Sequence, residues 1–310
     1  MTPSRARLAG FLFAAGAGVV WSTTGPLSNA LYAEGESVTQ IGFWRILIGA
    51  IALGAWGLTR RGFFRMDRRG FWLVAGVGGS LVALFEVAYQ FGIAGAGVAG
   101  AAALLYLAPV VVAVLAQPLL GERVTVVKIL LATVVMVGAT LTVRGSLHEP
   151  FLGDGAFSSV AVGTVGGLLA AASYAGTTIL ARWAVPRYGT LKVLFWEIAG
   201  GTVILGTVLP LVGHAPTVAG TERGWIFLLA LAAGPVLGAN FLFFAAVKRI
   251  EAAWAAVAAT IEPVAAAGLA LVLFHQRLTP LGWVGLLLVV GGVAGGYLRE
   301  GRANRGAVVP

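Results

Sequence analysis

The segment Thr260 to Thr279 reads TIEPVAAAGLALVLFHQRLT, an apolar run with one carboxylate, Glu262, directly before Pro263. Ionisable groups inside a bilayer are costly and face a cavity or one another. A carboxylate there needs a substrate ammonium, a proton or a buried donor to balance it. Arg45, Glu86, Glu197 and Asn240 are also set within apolar stretches. Counting from the ends of those stretches puts Arg45 and Glu86 at similar depth on consecutive segments, which predicts an ion pair. Glu197 and Asn240 hold the corresponding places later in the chain and predict a second polar clasp. Each clasp would either hold neighbouring helices together or belong to a gate.

Aromatic residues extend this pattern. Trp21, Tyr89, Tyr106, Tyr174 and Trp254 fall within apolar stretches, whereas an interfacial belt would place them at the ends. Trp21, Thr24 and Ser28 share one helical face by their spacing, and Glu86, Tyr89 and Gln90 share another. Faces that mix rings, hydroxyls and carboxyls suit an amphipathic solute; the alternative is plain packing. The candidates for lining a substrate cavity are therefore Trp21, Thr24, Tyr89, Gln90, Tyr106, Tyr174, Trp254 and Glu262.

The same inventory argues against catalysis. With no cysteine there is no disulfide, thiolate metal site or cysteine nucleophile. No HExxH or Walker motif is present, Asp67 and Asp154 lie in polar segments, and His148, His214 and His275 do not cluster with a serine. No catalytic residue, metal or cofactor is expected. An intramembrane enzyme is the weakest reading.

The elements that must position these residues are membrane helices. The chain of 310 residues is 59% hydrophobic and 11% charged, with a mean hydropathy of +0.92, far from soluble usage. Apolar stretches of bilayer-spanning length recur ten times, at about 8–30, 38–59, 70–92, 96–118, 124–143, 159–181, 190–212, 224–247, 251–274 and 280–298. The first is too long for a signal-peptide core and is read as a retained span. Of the 21 Lys and Arg residues, Arg144, Arg223 and Arg277 fall on one side, Arg45 lies within a span, and the other 17 fall on the side of both termini. The positive-inside rule makes that side cytoplasmic. The net charge of +9 is thus explained by topology, and no nucleic-acid partner is expected.

The spans form a repeat. Tyr106 to Thr125 reads YLAPVVVAVLAQPLLGERVT, and a shift of 154 residues superposes Pro109 on Pro263, Arg123 on Arg277, Glu86 on Asn240, Tyr89 on Phe243 and Gly138 on Gly292. Shifts of 152 or 153 bring Trp44 to Trp196, Arg45 to Glu197, Trp21 to Tyr174 and Thr24 to Thr177. Five spans written twice must cross the membrane in opposite senses, the mark of many secondary transporters. The expected units are residues 1–147, a linker at 148–157, a second unit at 158–298 and a tail at 299–310. Pro109 and Pro263, near midplane, are candidate hinges; Pro235, beside Gly234 and Gly238, is another. Gly291/Gly295 and Gly292/Gly296 permit close contact within the chain or in a homodimer, so both monomer and dimer stay open.

Ten spans in a 5+5 repeat, prolines midway along the fourth and ninth, and the exit Leu120-Gly121-Glu122-Arg123 resemble the drug/metabolite transporter superfamily, in particular its EamA-type amino acid and metabolite exporters. In the second half Phe274-His275-Gln276-Arg277 stands where that family repeats a Gly-Glu exit. The resemblance implies an all-α membrane protein of two inverted repeats around a central cavity, with the fifth and tenth spans peripheral. It also implies export of amino acids or related small metabolites by alternating access, in the inner membrane of a bacterium. Carriers of a drug-like cation or a nucleotide precursor are the alternatives.

Overall fold

The structure is a computed structural model and describes residues 3–146, 160–217, 220–274 and 279–306. Each predicted span has its helix. The first runs over Pro3–Trp21 and resumes at Thr24–Ala33; the second is Val38–Leu58. The third opens at Arg68–Phe71, widens into a π-helical stretch at Trp72–Gly78 and continues in Gly79–Leu105, which also begins the fourth. The chain turns back within this last helix. A Cβ on Gly92 would lie 3.3 Å from the Ala101 side chain, whereas nine residues of straight helix span roughly 13 Å. Ala108–Leu120 completes the fourth span and Val126–Ser146 is the fifth.

The second half repeats the order. Val160–Tyr188 and Thr190–Leu211 are the sixth and seventh spans. The eighth is Glu222–Leu231, a π-helical stretch at Ala232–Ala239 and Asn240–Val247. Ala252–Ala259 and Glu262–Phe274 form the ninth, and Pro280–Gly306 carries the tenth. Among the described residues nine helical stretches are long and apolar enough to cross a membrane, and the shorter apolar helix Val126–Thr142 supplies the tenth.

Local chemistry fixes the ends. Ser37 and Gln40 form a reciprocal capping box that starts the second span, with the Ser37 amide donating to Gln40 Oε1 at 2.6 Å. Asp67 Oδ2 accepts from the Gly70 amide at 3.1 Å and starts the third; Thr221 does the same for the eighth. Gly121, at φ 72°, ends the fourth in the left-handed conformation that only glycine adopts freely.

Packing follows the repeat. The second span lies on the seventh and the fifth on the tenth, each pair related by the duplication. The first span packs on the eighth and ninth, and its counterpart the sixth packs on the third and fourth. Small residues set the distances, as expected where lipid is as apolar as leucine. A Cβ on Gly200 would sit 2.0 Å from the Ala75 carbonyl, joining the seventh span to the third. A Cβ on Gly285 would meet the Thr142 amide at 2.4 Å, and one on Gly292 would meet Val135 at 2.4 Å, joining the tenth span to the fifth. Of the GxxxG glycines, Gly292, Gly295 and Gly296 are thus covered from within the chain, by Val135, Leu131 and Trp254, while Gly291 faces open space. Large apolar side chains point outward instead: Val126 is 82% exposed and Val272 is 72% exposed, the arrangement of a protein dissolved in lipid.

Candidate functional site

A small cavity of about 30 Å³ lies where the first, fourth, sixth and ninth spans meet. Trp21, Tyr106, Tyr174 and Glu262 line it, together with Ala108, Pro109 and Thr260. Trp21 and Tyr174 are repeat mates that meet each other edge to face, ring centroids 5.9 Å apart, and both contact Phe243. Among the described residues the Glu262 carboxylate has no hydrogen bond or ion pair. Its electrostatic neighbours are phenols: Tyr89, Tyr106 and Tyr174 all stand within Coulombic reach.

Two of the lining helices, one from each half, are interrupted at this level. The fourth span breaks at Tyr106-Leu107 and the ninth at Thr260-Ile261, each crossed by i→i−3 bonds such as Leu107 N to Leu104 O at 3.1 Å and Thr260 N to Val257 O at 3.3 Å. Each proline is the second residue of the helix that restarts, so its missing N–H falls where a helix has no partner for one. Pro109 and Pro263 are therefore not kinks inside a continuous helix but the heads of half-helices. On the ninth span the open backbone is covered by Gly18, where a Cβ would lie 2.3 Å from the Ala259 carbonyl and 3.1 Å from the Glu262 amide. The first span has a matching break that the periodicity did not indicate. Ser22 Oγ and Thr23 Oγ1 donate to the Val19 and Val20 carbonyls at 2.7 and 2.8 Å, taking up carbonyls left by the turn. The sequence signal was Thr23-Thr24-Gly25-Pro26.

The other cavity candidates divide. Tyr89 stacks on Phe85 one turn away and reaches both Glu262 and Arg45 electrostatically. Thr24 heads the second half of the first span and is not part of the lining. The Gln90 side chain lies outside the described residues. Trp254 does not face the cavity: it is 3% exposed and fills the gap over Gly296 of the tenth span, since the glycine leaves room for an indole there.

Arg45 and Glu86 meet. Arg45 Nε donates to Glu86 Oε2 at 3.1 Å, Nη2 bonds the same oxygen, and both residues are buried. The second clasp is not formed. Asn240 Nδ2 donates to the Pro235 and Val236 carbonyls at 3.3 and 2.9 Å, because the π-helical turn around Pro235 leaves those acceptors to be satisfied. Glu197, 2% exposed, packs instead against Gly78 of the third span, and its Oε1 has no hydrogen-bond partner among the described residues.

Polar contacts also tie the two membrane faces. On the face opposite the termini, Gln40 and Trp44 bond Thr217, Glu36 Oε1 accepts from the Gly220 amide at 3.2 Å, and Glu34 accepts from the Thr221 hydroxyl at 2.7 Å. On the terminal face, Tyr188 donates to Asp67 at 2.5 Å, and Lys192 donates to the Gly62 and Arg65 carbonyls at 2.9 and 2.8 Å. The Tyr188 hydroxyl and the Gly70 amide hold the Asp67 carboxyl below the usual range. A second terminal-face network, which the spacing of charges did not reveal, centres on Glu122. It accepts from Arg182 Nε at 3.0 Å and from the Ala252 amide at 3.1 Å. Burial raises this carboxyl above the usual range, against the opposing effects of the Ala252 amide and Arg182. The sequence signal for it was the Gly121-Glu122 exit.

The EamA-like transporter family profile matches residues 8–144 and 161–297, one match per repeat. Over 229 residues the chain is 32% identical to the pseudopaline exporter CntI of two strains of Pseudomonas aeruginosa, covering 72% of this chain and 75% of each relative. An uncharacterised transporter of Archaeoglobus fulgidus is 26% identical over 196 residues, 63% of this chain and 66% of that one. A solved crystal structure with 20% sequence identity superposes with a TM-score of 0.76, covering 96% of this chain and 99% of the other, and so shares the fold. Two family matches, one on each five-helix unit, settle the affiliation: the chain belongs to the EamA-like transporter family and is a membrane transporter rather than an enzyme.

Proposed function

We propose that the chain exports an amino acid or a related small metabolite that carries an ammonium group, by alternating access about the cavity at Glu262. The observation that carries this reading is the lone carboxylate that shares a cavity with Trp21, Tyr106 and Tyr174 at the breaks of the fourth and ninth spans. An ammonium satisfies the carboxylate and gains from the aromatic faces of Trp21, Tyr106 and Tyr174. The paired half-helices at Pro109 and Pro263 give the motion a place to occur, and free backbone at this depth is tolerable beside a cavity. The relation to pseudopaline exporters supports outward movement of a metabolite.

The terminal face is the cytoplasmic one, in a bacterial inner membrane, on the strength of the 17 cations gathered there. Reporter fusions at Arg61 should read as cytoplasmic; an external reading would reverse the orientation.

Flux of labelled amino acids into proteoliposomes, with and without a pH gradient, tests the substrate class. Saturable flux is expected. Glu262→Gln should fold, and its affinity should fall by about tenfold or more, equivalent to roughly 1.4 kcal/mol. Intact binding with the pH response lost would make Glu262 the proton carrier. Flux of another metabolite, with none for any amino acid, would move the reading to that solute.

A further inference from the structure

The Glu122 network lies directly beneath the cavity. Three of the spans that line the cavity, the fourth, sixth and ninth, converge at their terminal-face ends on this one carboxylate. Glu122 follows the end of the fourth span, Arg182 is two turns beyond Tyr174 on the sixth, and Ala252 is the first residue of the ninth, one turn before Ala256. Arg182 Nη1 also donates to the Val247 carbonyl at 2.6 Å, drawing in the end of the eighth span. Lys128 Nζ, at the start of the fifth, bonds Glu251 at 2.6 Å and the Arg123 carbonyl at 2.6 Å. Glu300 and Arg7 complete the charged group from the tenth and first spans.

The repeat gives a control for what this cluster does. The staple of Tyr188 and Lys192 to the 62–67 loop has its mate on the opposite face. A shift of 152 residues takes Tyr188 to Glu36 and Lys192 to Gln40, which bond Gly220 and Thr217 on that face. Those staples are symmetric and bind both faces alike. The Glu122 cluster has no such mate in the sequence. A shift of 154 takes Glu122 to Gln276, Lys128 to Gly282 and Glu251 to Gly97, and the shift of 153 that pairs Tyr174 with Trp21 takes Arg182 to Asn29. Each of these four charges is matched by an uncharged residue. Ion pairs at these places can therefore latch only one end of the pathway.

We infer that the Glu122–Arg182–Ala252 clasp is the gate on the terminal face: it keeps the cavity closed to that side and must break for a solute to load from there. This rests on the transport reading and on the terminal face being cytoplasmic, but its test needs no flux. The chain has no cysteine, so a single Ala256→Cys substitution in the cavity lining reports access to a membrane-impermeant thiol reagent. Labelling from the terminal face should be slow in the otherwise native chain. Glu122→Gln should speed it by about tenfold, the population shift equivalent to roughly 1.4 kcal/mol, and should slow labelling from the opposite face. Unchanged rates from both faces would overturn the gate. If Glu122→Gln fails to fold, Arg182→Gln supplies the second variant, since it leaves the Glu122 carboxylate to accept from the Ala252 amide: faster labelling from the terminal face supports the clasp, and labelling as slow as in the native chain refutes it. An inert gate with normal flux, or a working gate with no amino acid flux, separates the failure of this inference from that of the substrate assignment.

Discussion

The two halves begin from the same five-helix plan and treat their buried charges differently. In the first, Arg45 and Glu86 neutralise each other between the second and third spans. In the second, the same two places hold Glu197 and Asn240, which do not meet: the asparagine serves its own helix and the carboxylate is buried beside Gly78. Duplication thus keeps the path of the helices more strictly than the contacts between them. A π-helical turn on its own span is enough to redirect Asn240, because unsatisfied carbonyls in lipid outweigh a more distant partner.

The largest effect is expected from removing one member of the formed pair. Arg45→Ala leaves Glu86 as an uncompensated buried charge, for which a loss of about 3–5 kcal/mol is expected, whereas Arg45→Leu with Glu86→Leu should cost much less. Thermal unfolding in detergent of the native chain, the two single leucine variants and the double gives the coupling, and strictly additive losses would deny the contact. A smaller effect is expected in the second half. Glu197→Gln keeps the shape, removes no ion pair and should change stability by less than about 1 kcal/mol. A loss as large as that of Arg45→Ala would mean that Glu197 has a charged partner after all.

The sequence carried the helices and the repeat because both are written in composition. Twenty-residue apolar runs need no tertiary context to be recognised, and the Pro109/Pro263 coincidence fixed the register of the halves. Arg45 and Glu86 were legible for a related reason, since depth along consecutive antiparallel spans is set by counting. What counting could not supply was rotation about each helix axis. Trp254 sits at a plausible depth yet turns toward Gly296, and Glu197 turns toward Gly78, each following space left by a glycine on another span. The break after Trp21 was hidden because serine and threonine can return their hydroxyls to the backbone without altering the apolar pattern. The Glu122 cluster was missed because its members come from distant turns, 60 residues apart in the chain for Glu122 and Arg182.

The contacts between repeat-related helices, second on seventh and fifth on tenth, are the seams that a two-fold dimer of separate five-helix chains would use, each surface meeting its own copy. Such a dimer would be bound by identity: any side chain at the axis would appear twice. Glu262 and its counterpart Ala108 both line the one cavity, so a carboxylate introduced into separate identical chains would face a second carboxylate across it. Two like charges so placed cannot both ionise without cost. Joining the copies in one chain frees each half from the other's substitutions, and a single acidic group in this cavity is an arrangement closed to a dimer of identical chains.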